Sequence, residues 1–401
     1  MKILQINAVY NLGSTGRCAS DFQNYVNANT NHVCETAFCY GGTEKDGYII
    51  GNKLDRKAHA LCSRLFGKQG WYSKSATKKL IKYIERYKPD IIQLNNMHGN
   101  YVNFPKLIEY VAEKDIPTAV VLHDCWPFTG KCCHYTADRC FKWQSGCYDC
   151  PRLKKDNESW FFDRTKFLWS KKKELWNSIP RLAVVGVSRW IVEESKKSPL
   201  MSNAKIFSYI YNGIDEEMFK PIKSNVREKY ELQNKKIILG VASSWVESKG
   251  ISDILCLAKQ LPEDCKIVLV GNLSEKYQCD EIINIPATSS VQELAQWYSA
   301  ADVYINMSKE ETFGKVSAEA LMCGTPVVCF NTTANPELVG PGCGYVCETD
   351  SVEEFKKLVM KILDDGKEKY SQSCIEFAKN SFTKEKNIQG FLELYQKLLE
   401  M

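Results

Sequence analysis

Residues 302–330, DVYINMSKEETFGKVSAEALMCGTPVVCF, decide the fold. The segment opens with an apolar, β-rich run over 302–306 and breaks at a polar loop around Ser308 to Glu311. After Gly314 a helical pattern begins, which ends near Cys323-Gly324-Thr325-Pro326 and gives way to a second apolar run over 326–330. Strand, loop, helix and strand in that order form a βαβ unit, the building block of a parallel sheet.

The same alternation extends outward in both directions. Upstream and beside it, residues 236–243, 265–271 and 281–285 read as further strands separated by helix-length segments, which makes five strands for one doubly wound domain. An independent series, 2–9, 33–40, 90–95, 118–123 and 182–188, gives five more near the N-terminus. Between the two series lies Tyr211-Asn212-Gly213-Ile214-Asp215, whose Asn-Gly pair marks a turn and a hinge. The expectation is α/β architecture with two doubly wound, Rossmann-like domains facing each other across a cleft. Residues 1–210 form the N-terminal domain, with a Cys-rich insert at 125–150, and residues 211–380 form the C-terminal domain. Residues 381–401 form a C-terminal helix able to pack back on the N-terminal domain.

Composition sets bounds on this reading. A chain of 401 residues exceeds what one ordinary core supports, and hydrophobic and charged fractions of 44% and 25% exclude a disordered chain. No run approaches the roughly 20 apolar residues of a spanning helix, and no signal-peptide core follows Met1. The expected compartment is therefore the cytoplasm. Residues 1–200 hold 31 Lys+Arg against 19 Asp+Glu, whereas residues 201–401 hold 22 against 29, so the basic charge is concentrated in the first half. That suits either an anionic acceptor or membrane surface, or a solvated basic face.

Ligands of open α/β sheets bind beyond the carboxyl ends of the strands, so the loops there carry the chemistry. Glu311 and Glu319 flank Gly314, where a helix start would expose free N–H groups to an anionic or hydroxyl-rich ligand. On one continuous helix these acids would lie about 80° apart. Lys249-Gly250, after the strand 236–243, supplies a point charge suited to a diphosphate.

The segment 308–330 resembles that of the retaining glycosyltransferases of family 4, which have the GT-B fold and a Glu-x7-Glu motif. The resemblance is strongest over 236–348, and it implies that residues 211–380 are the donor domain and residues 1–210 the acceptor-side domain. It implies that Glu311 contacts the donor sugar, that the backbone of Phe313, Gly314, Lys315 and Val316 cradles sugar and phosphate, and that Glu319 binds the ribose. It also implies ligand contact for Gly13 and Gly16, and a sugar contact for His123. Where the family usually has an Arg near the end of the strand, this chain has Ser244, so Lys249 either acts alone or borrows a cation such as Arg189.

Six cysteines crowd residues 125–150. The spacing of Cys133, Cys140, Cys147 and Cys150 offers four thiolates for a structural zinc, with Cys132 and His134 as alternates. Packing thiols and disulfides are the other readings. Beyond them, Trp160-Phe161-Phe162, Phe167, Leu168 and Trp169 with Lys171-Lys172-Lys173 read either as a membrane-interface segment or as an ordinary amphipathic helix.

The function expected is retaining transfer of a sugar from a UDP- or GDP-sugar to a glycan or lipid-linked acceptor in surface polysaccharide synthesis, with peripheral association at the inner face of the membrane. No Asp-x-Asp pair is present to hold a divalent ion, so no catalytic cofactor is expected. Alternatives are a nucleotide-sugar epimerase of the same fold and a non-enzymatic zinc-containing binding protein. Nucleic acid is not an expected partner.

Overall fold

A computed structural model describes residues 1–288, 290–348 and 351–401. The chain divides into two compact units, Met1–Ile210 with Asn387–Met401, and Tyr211–Lys386.

The first unit holds a seven-stranded parallel sheet: β1 (Lys2–Ile6), β2 (Val33–Phe38), β3 (Gly47–Ile49), β4 (Ile91–Leu94), β5 (Thr118–Leu122), β6 (Leu182–Gly186) and β7 (Ile206–Tyr209). Their order across the sheet is β3-β2-β1-β4-β5-β6-β7. The second holds six: β8 (Lys236–Ser244), β9 (Cys265–Asn272), β10 (Ile282–Ile285), β11 (Val303–Asn306), β12 (Val327–Phe330) and β13 (Gly344–Cys347), in the order β10-β9-β8-β11-β12-β13. Central strands such as TAVVL of β5 and VVCF of β12 are buried at every position, because helices cover both faces.

The sheets are thus larger than the five strands each that periodicity predicts. The additions are β3, β7 and β13, all at sheet edges and all largely half-exposed. An edge strand has no need of a continuous apolar run, so GYI, IFSY and GYVC leave little trace in the sequence.

The Cys-rich insert is longer than 125–150. It runs from the end of β5 to the helix Thr165–Asn177 with only two short 3-10 turns, Trp126–Phe128 and Lys142–Gln144. Trp126, Tyr135 and Trp143 give it a buried core. The Arg152 guanidinium ties its strands of coil together by pairing with Asp138 and Asp156. The run Lys171-Lys172-Lys173 is not one surface patch, since helical periodicity turns Lys172 fully inward while its neighbours stay exposed. The C-terminal helix Lys384–Leu399 buries Phe391 and Tyr395 against Phe22 of the first unit. No helix among the described residues is long and apolar enough to cross a membrane.

Candidate functional site

In each sheet the strand order reverses direction at one point, between β1 and β4 and between β8 and β11. Loops leaving two such neighbouring strands diverge, and the crevice between them is where ligands of this architecture bind.

In the second unit the loop after β8 carries Lys249 and the loop after β11 carries Glu311, and the Lys249 ammonium is paired with the Glu311 carboxylate. The two loops are fastened to each other at several points. Gly250 has a φ of 75°, and a Cβ there would stand 2.2 Å from the Met307 carbonyl oxygen, so only glycine allows the approach. The Lys309 amide donates to the Ser248 carbonyl at 2.9 Å, and the Lys309 ammonium meets Asp253 at 3.0 Å. Beneath them, Asn306 Nδ2 donates to Ser317 Oγ and Asn335 Oδ1, both at 3.1 Å, while Asn306 Oδ1 accepts from the Ser308 amide. The Glu311 amide donates to Thr333 Oγ1 at 3.0 Å. Glu311 is therefore held from both backbone and side chain.

Gly314, with a φ of 88°, starts the helix Lys315–Met322, and no side chain caps that start. Lys315 and Val316 stand in its first turn, half-buried. The Glu311 and Glu319 carboxylates do not share this helix, because Glu311 precedes it; the angular relation of an ideal helix does not apply to them. Glu319 faces inward at 7% exposure and accepts the Tyr298 hydroxyl at 3.0 Å. Burial, then the Glu319 charge, pushes that hydroxyl's pKa well up. The Phe313 ring is packed between Tyr211 and Phe382, leaving its backbone at the loop. Ser244 ends β8 exposed. Arg189 lies in the first unit, its guanidinium 5.0 Å from the Tyr209 ring centroid.

In the first unit, Gly13 and Gly16 begin the helix Gly13–Asn29 after β1, and the Asn11 amide donates to the Gly16 carbonyl at 2.9 Å. Asn7 joins this loop to the one after β4, its Nδ2 donating to Thr15 O while its Oδ1 accepts from the Asn96 amide. His123 follows β5, with Nε2 at 3.1 Å from Asn95 Oδ1. Burial lowers His123 to about 4, against a smaller opposing effect of Asp124, so the ring is neutral near pH 7.

A buried chain of hydrogen bonds, which sequence reading missed, stands behind this histidine. Tyr395, from the C-terminal helix, bonds to Gln93 Oε1, and Gln93 Nε2 donates to Asn95 Oδ1 at 3.0 Å. A fully buried hydroxyl must donate its proton, which turns the Gln93 oxygen toward Tyr395 and its nitrogen toward Asn95. Asn95 then offers its oxygen to His123, placing the ring proton on Nε2 and the lone pair on Nδ1. Asn95 Nδ2 is buried without a partner.

Cys133 does not stand with Cys140, Cys147 and Cys150. Its Sγ lies 3.7 Å from His98 Nε2, which is 2.6 Å from Asp124 Oδ2. These three ligand atoms lie within 4.8 Å of one another. The 2.6 Å separation is a hydrogen bond, shorter than the roughly 3.3 Å between two ligands 2.0 Å from one tetrahedral ion. Cys132 instead lines a small cavity with Cys140, Cys147 and Cys150. Cys133 is not among the residues that line it.

Residues 222–381 match the family model described as glycosyl transferases group 1. The match covers most of the second unit. Among curated relatives is N-acetyl-alpha-D-glucosaminyl L-malate synthase of Bacillus anthracis, 26% identical over 54% of this chain and 60% of that protein. The MMP alpha-(1->4)-mannosyltransferase of Mycolicibacterium hassiacum is 29% identical over 39% of each chain. The putative colanic acid biosynthesis glycosyl transferase WcaC of Escherichia coli K12 is 21% identical over 77% of each. The chain thus spans less than two thirds of the first two relatives. Among solved structures, a glycosyltransferase of Rickettsia africae has a TM-score of 0.69 at 17% identity, covering 99% of this chain and 98% of its own. Anabaena Alr3699/HepE, solved in complex with UDP and glucose, has a TM-score of 0.67 at 17% identity, covering 99% and 100%. Such likeness shows the fold, GT-B, over the whole length.

Proposed function

We propose that this chain is a retaining glycosyltransferase that moves a sugar from a UDP- or GDP-sugar to a glycan or lipid-linked acceptor, without a catalytic metal, in surface polysaccharide synthesis. The observation that carries the reading is the Lys249–Glu311 pair at the switch point of the second sheet, beside the uncapped helix start at Gly314. A diphosphate entering there competes with Glu311 for the Lys249 ammonium and meets first-turn N–H groups and the positive helix end. Glu311, released from Lys249, is then an acceptor for sugar hydroxyls. The neutral His123 suits hydrogen bonding to a sugar hydroxyl and is not set up as a general base with a pKa near 7.

The names of relatives agree with this chemistry: HepE was solved with UDP and glucose, and WcaC and the Staphylococcus aureus CapM are named for colanic acid and capsular polysaccharide biosynthesis. A cavity of about 720 Å³ in the first unit is lined by Phe66, Trp71, Phe162 and the cations Lys68, Lys74, Lys106 and Arg164. Apolar rings beside cations suit an acceptor with an anionic group and a lipid tail, and with it peripheral contact with a membrane.

The test is a thermal-shift screen of UDP- and GDP-sugars, followed by NMR of the anomeric configuration of the product. A donor at 100 times its dissociation constant adds about 2.7 kcal/mol of stability. Glu311→Ala and Lys249→Ala should fold and lose transfer. Full activity in both, turnover that requires added manganese, or an inverted product would refute the reading.

A further inference from the structure

Two lysines are buried beside the cysteine cluster, and their charges need an explanation. Lys131 is 3% exposed, and its ammonium donates to the carbonyls of Arg152, Leu153 and Lys155 at 2.8, 3.1 and 2.8 Å. Lys172 is 0% exposed; its ammonium donates to the carbonyls of Trp126 and Thr129 and lies 3.3 Å from the Trp126 ring centroid. Among the described residues neither forms an ion pair with a carboxylate. Of the nearby acids, Asp156 is engaged by Arg152, Asp124 by His98, and Asp163 by the Cys150 amide and the Thr165 hydroxyl. Ammonium groups so enclosed are costly to keep charged unless anions sit close by.

The groups closest to meeting that need are thiols. Cys132, Cys140, Cys147 and Cys150 line one cavity of about 20 Å³, room for a single small guest. Cys132 and Cys150 are hydrogen-bonded to each other. Two of the sulfurs also accept backbone N–H groups, Cys147 from Gly130 and Cys150 from Arg152. Gly130 has no room for a side chain: a Cβ would stand 2.8 Å from Cys147 Cβ and 3.0 Å from its sulfur. Lys131 lies within electrostatic reach of Cys150, Cys132 and Asp156, and Lys172 of Cys147, Asp124 and Cys132.

We propose that Cys132, Cys140, Cys147 and Cys150 bind one structural zinc ion as a tetrathiolate, whose net double negative charge is balanced by the buried ammonium groups of Lys131 and Lys172. Four thiolates and one divalent ion leave a dianion, and two lysines return the site to neutrality. Each thiol gives up its proton to solvent on binding. Among the described residues no three of these sulfurs lie within 4.8 Å of one another, so binding has to draw them together. The ion then fixes a helix-poor insert that directly follows His123-Asp124, in a segment with few backbone ladders of its own. An all-sulfur set excludes hard ions such as magnesium or calcium.

The experiment is elemental analysis of the purified full chain, with titration of its thiols by a mercurial while released zinc is read with a chromogenic chelator. One zinc per chain is expected, set free as four thiols react, and retained in Cys133→Ser but lost in Cys132→Ser and Cys140→Ser. The release titration on the parent protein tests the claim even where a variant fails to fold. Absence of metal with a mass lower by the hydrogens of disulfides overturns the proposal, as does iron in place of zinc. Loss of zinc from Cys133→Ser with retention in Cys132→Ser overturns the ligand set.

Discussion

Gly250→Ala tests whether the candidate site depends on two loops pressed together. The residue has a φ of 75°, which costs an alanine about 1–2 kcal/mol. Its Cβ would also stand 2.2 Å from the Met307 carbonyl oxygen, well inside contact distance and against backbone that cannot swing aside. Overpacking of this kind adds about 1–3 kcal/mol, for a total of about 2–5 kcal/mol. In a unit of this size that lowers Tm by about 4–20 °C. The control is Gly324→Ala, where φ is 76° but the nearest neighbour of a Cβ, Ile375 Cδ1, is 3.4 Å away. Strain is matched there and the clash is missing, so only about 1–2 kcal/mol is lost. Relief of the clash in Gly250→Ala moves Lys249 away from Glu311, so the variant should also lose protection by nucleotide sugars in a thermal-shift assay, while Gly324→Ala keeps it. Equal melting temperatures for the two variants would refute the reasoning, since the contact with Met307 would then carry no weight.

Two further outcomes follow from buried polar groups. Burial lowers His59 to about 4, its Nδ1 bonding to Ser73 Oγ and its Nε2 accepting the Gly70 amide. The unfolded chain binds the proton first, so this stability is complete above pH 6.5 and is lost as pH falls toward 4. Between pH 7 and 5 the loss is about 2 kcal/mol, where carboxylates still contribute little. Urea unfolding at both pH values should show a smaller difference in His59→Gln, and an unchanged difference would refute the assignment. Tyr395→Phe leaves Gln93 Oε1 buried without a donor, at a cost of about 1–3 kcal/mol. It should lower kcat several-fold with little change in donor KM, as His123 loses its fixed tautomer; unaltered kcat in a correctly folded variant would show that Tyr395 has no positioning role.

The legible parts of this chain are those whose physics is local. The central strands are continuous apolar runs because both faces of each sheet are covered, and the loop from Ser308 to Glu319 is contiguous, so its residues can be read together. The edge strands β3, β7 and β13 escape because exposure on one side removes the run that would betray them. Lys172 reads as one of three surface lysines, and only the turn of the helix Thr165–Asn177 reveals that it points inward. Cys132 and Cys133 are indistinguishable by spacing, and the direction of the chain through the insert decides between them. The link from Tyr395 to Gln93 joins residues 302 apart, beyond the reach of any motif.

The two switch points share a geometry and differ in chemistry. At β8 and β11 the side chains are charged and opposed, Lys249 against Glu311, with a helix start directed at the same place. Charge of that kind is suited to a leaving diphosphate. At β1 and β4 the groups are amides, Asn7, Asn95 and Asn96, joined by an imidazole that burial keeps neutral. Uncharged donors and acceptors with fixed directions are suited to hydroxyls, which they can orient without paying to desolvate an ion. If this division of labour is right, His123 changes charge only near pH 4, far below any working range. A rate profile with an apparent pKa near 6.5 that vanishes in His123→Asn would therefore contradict it, because the ring would then be titrating where its surroundings hold it neutral.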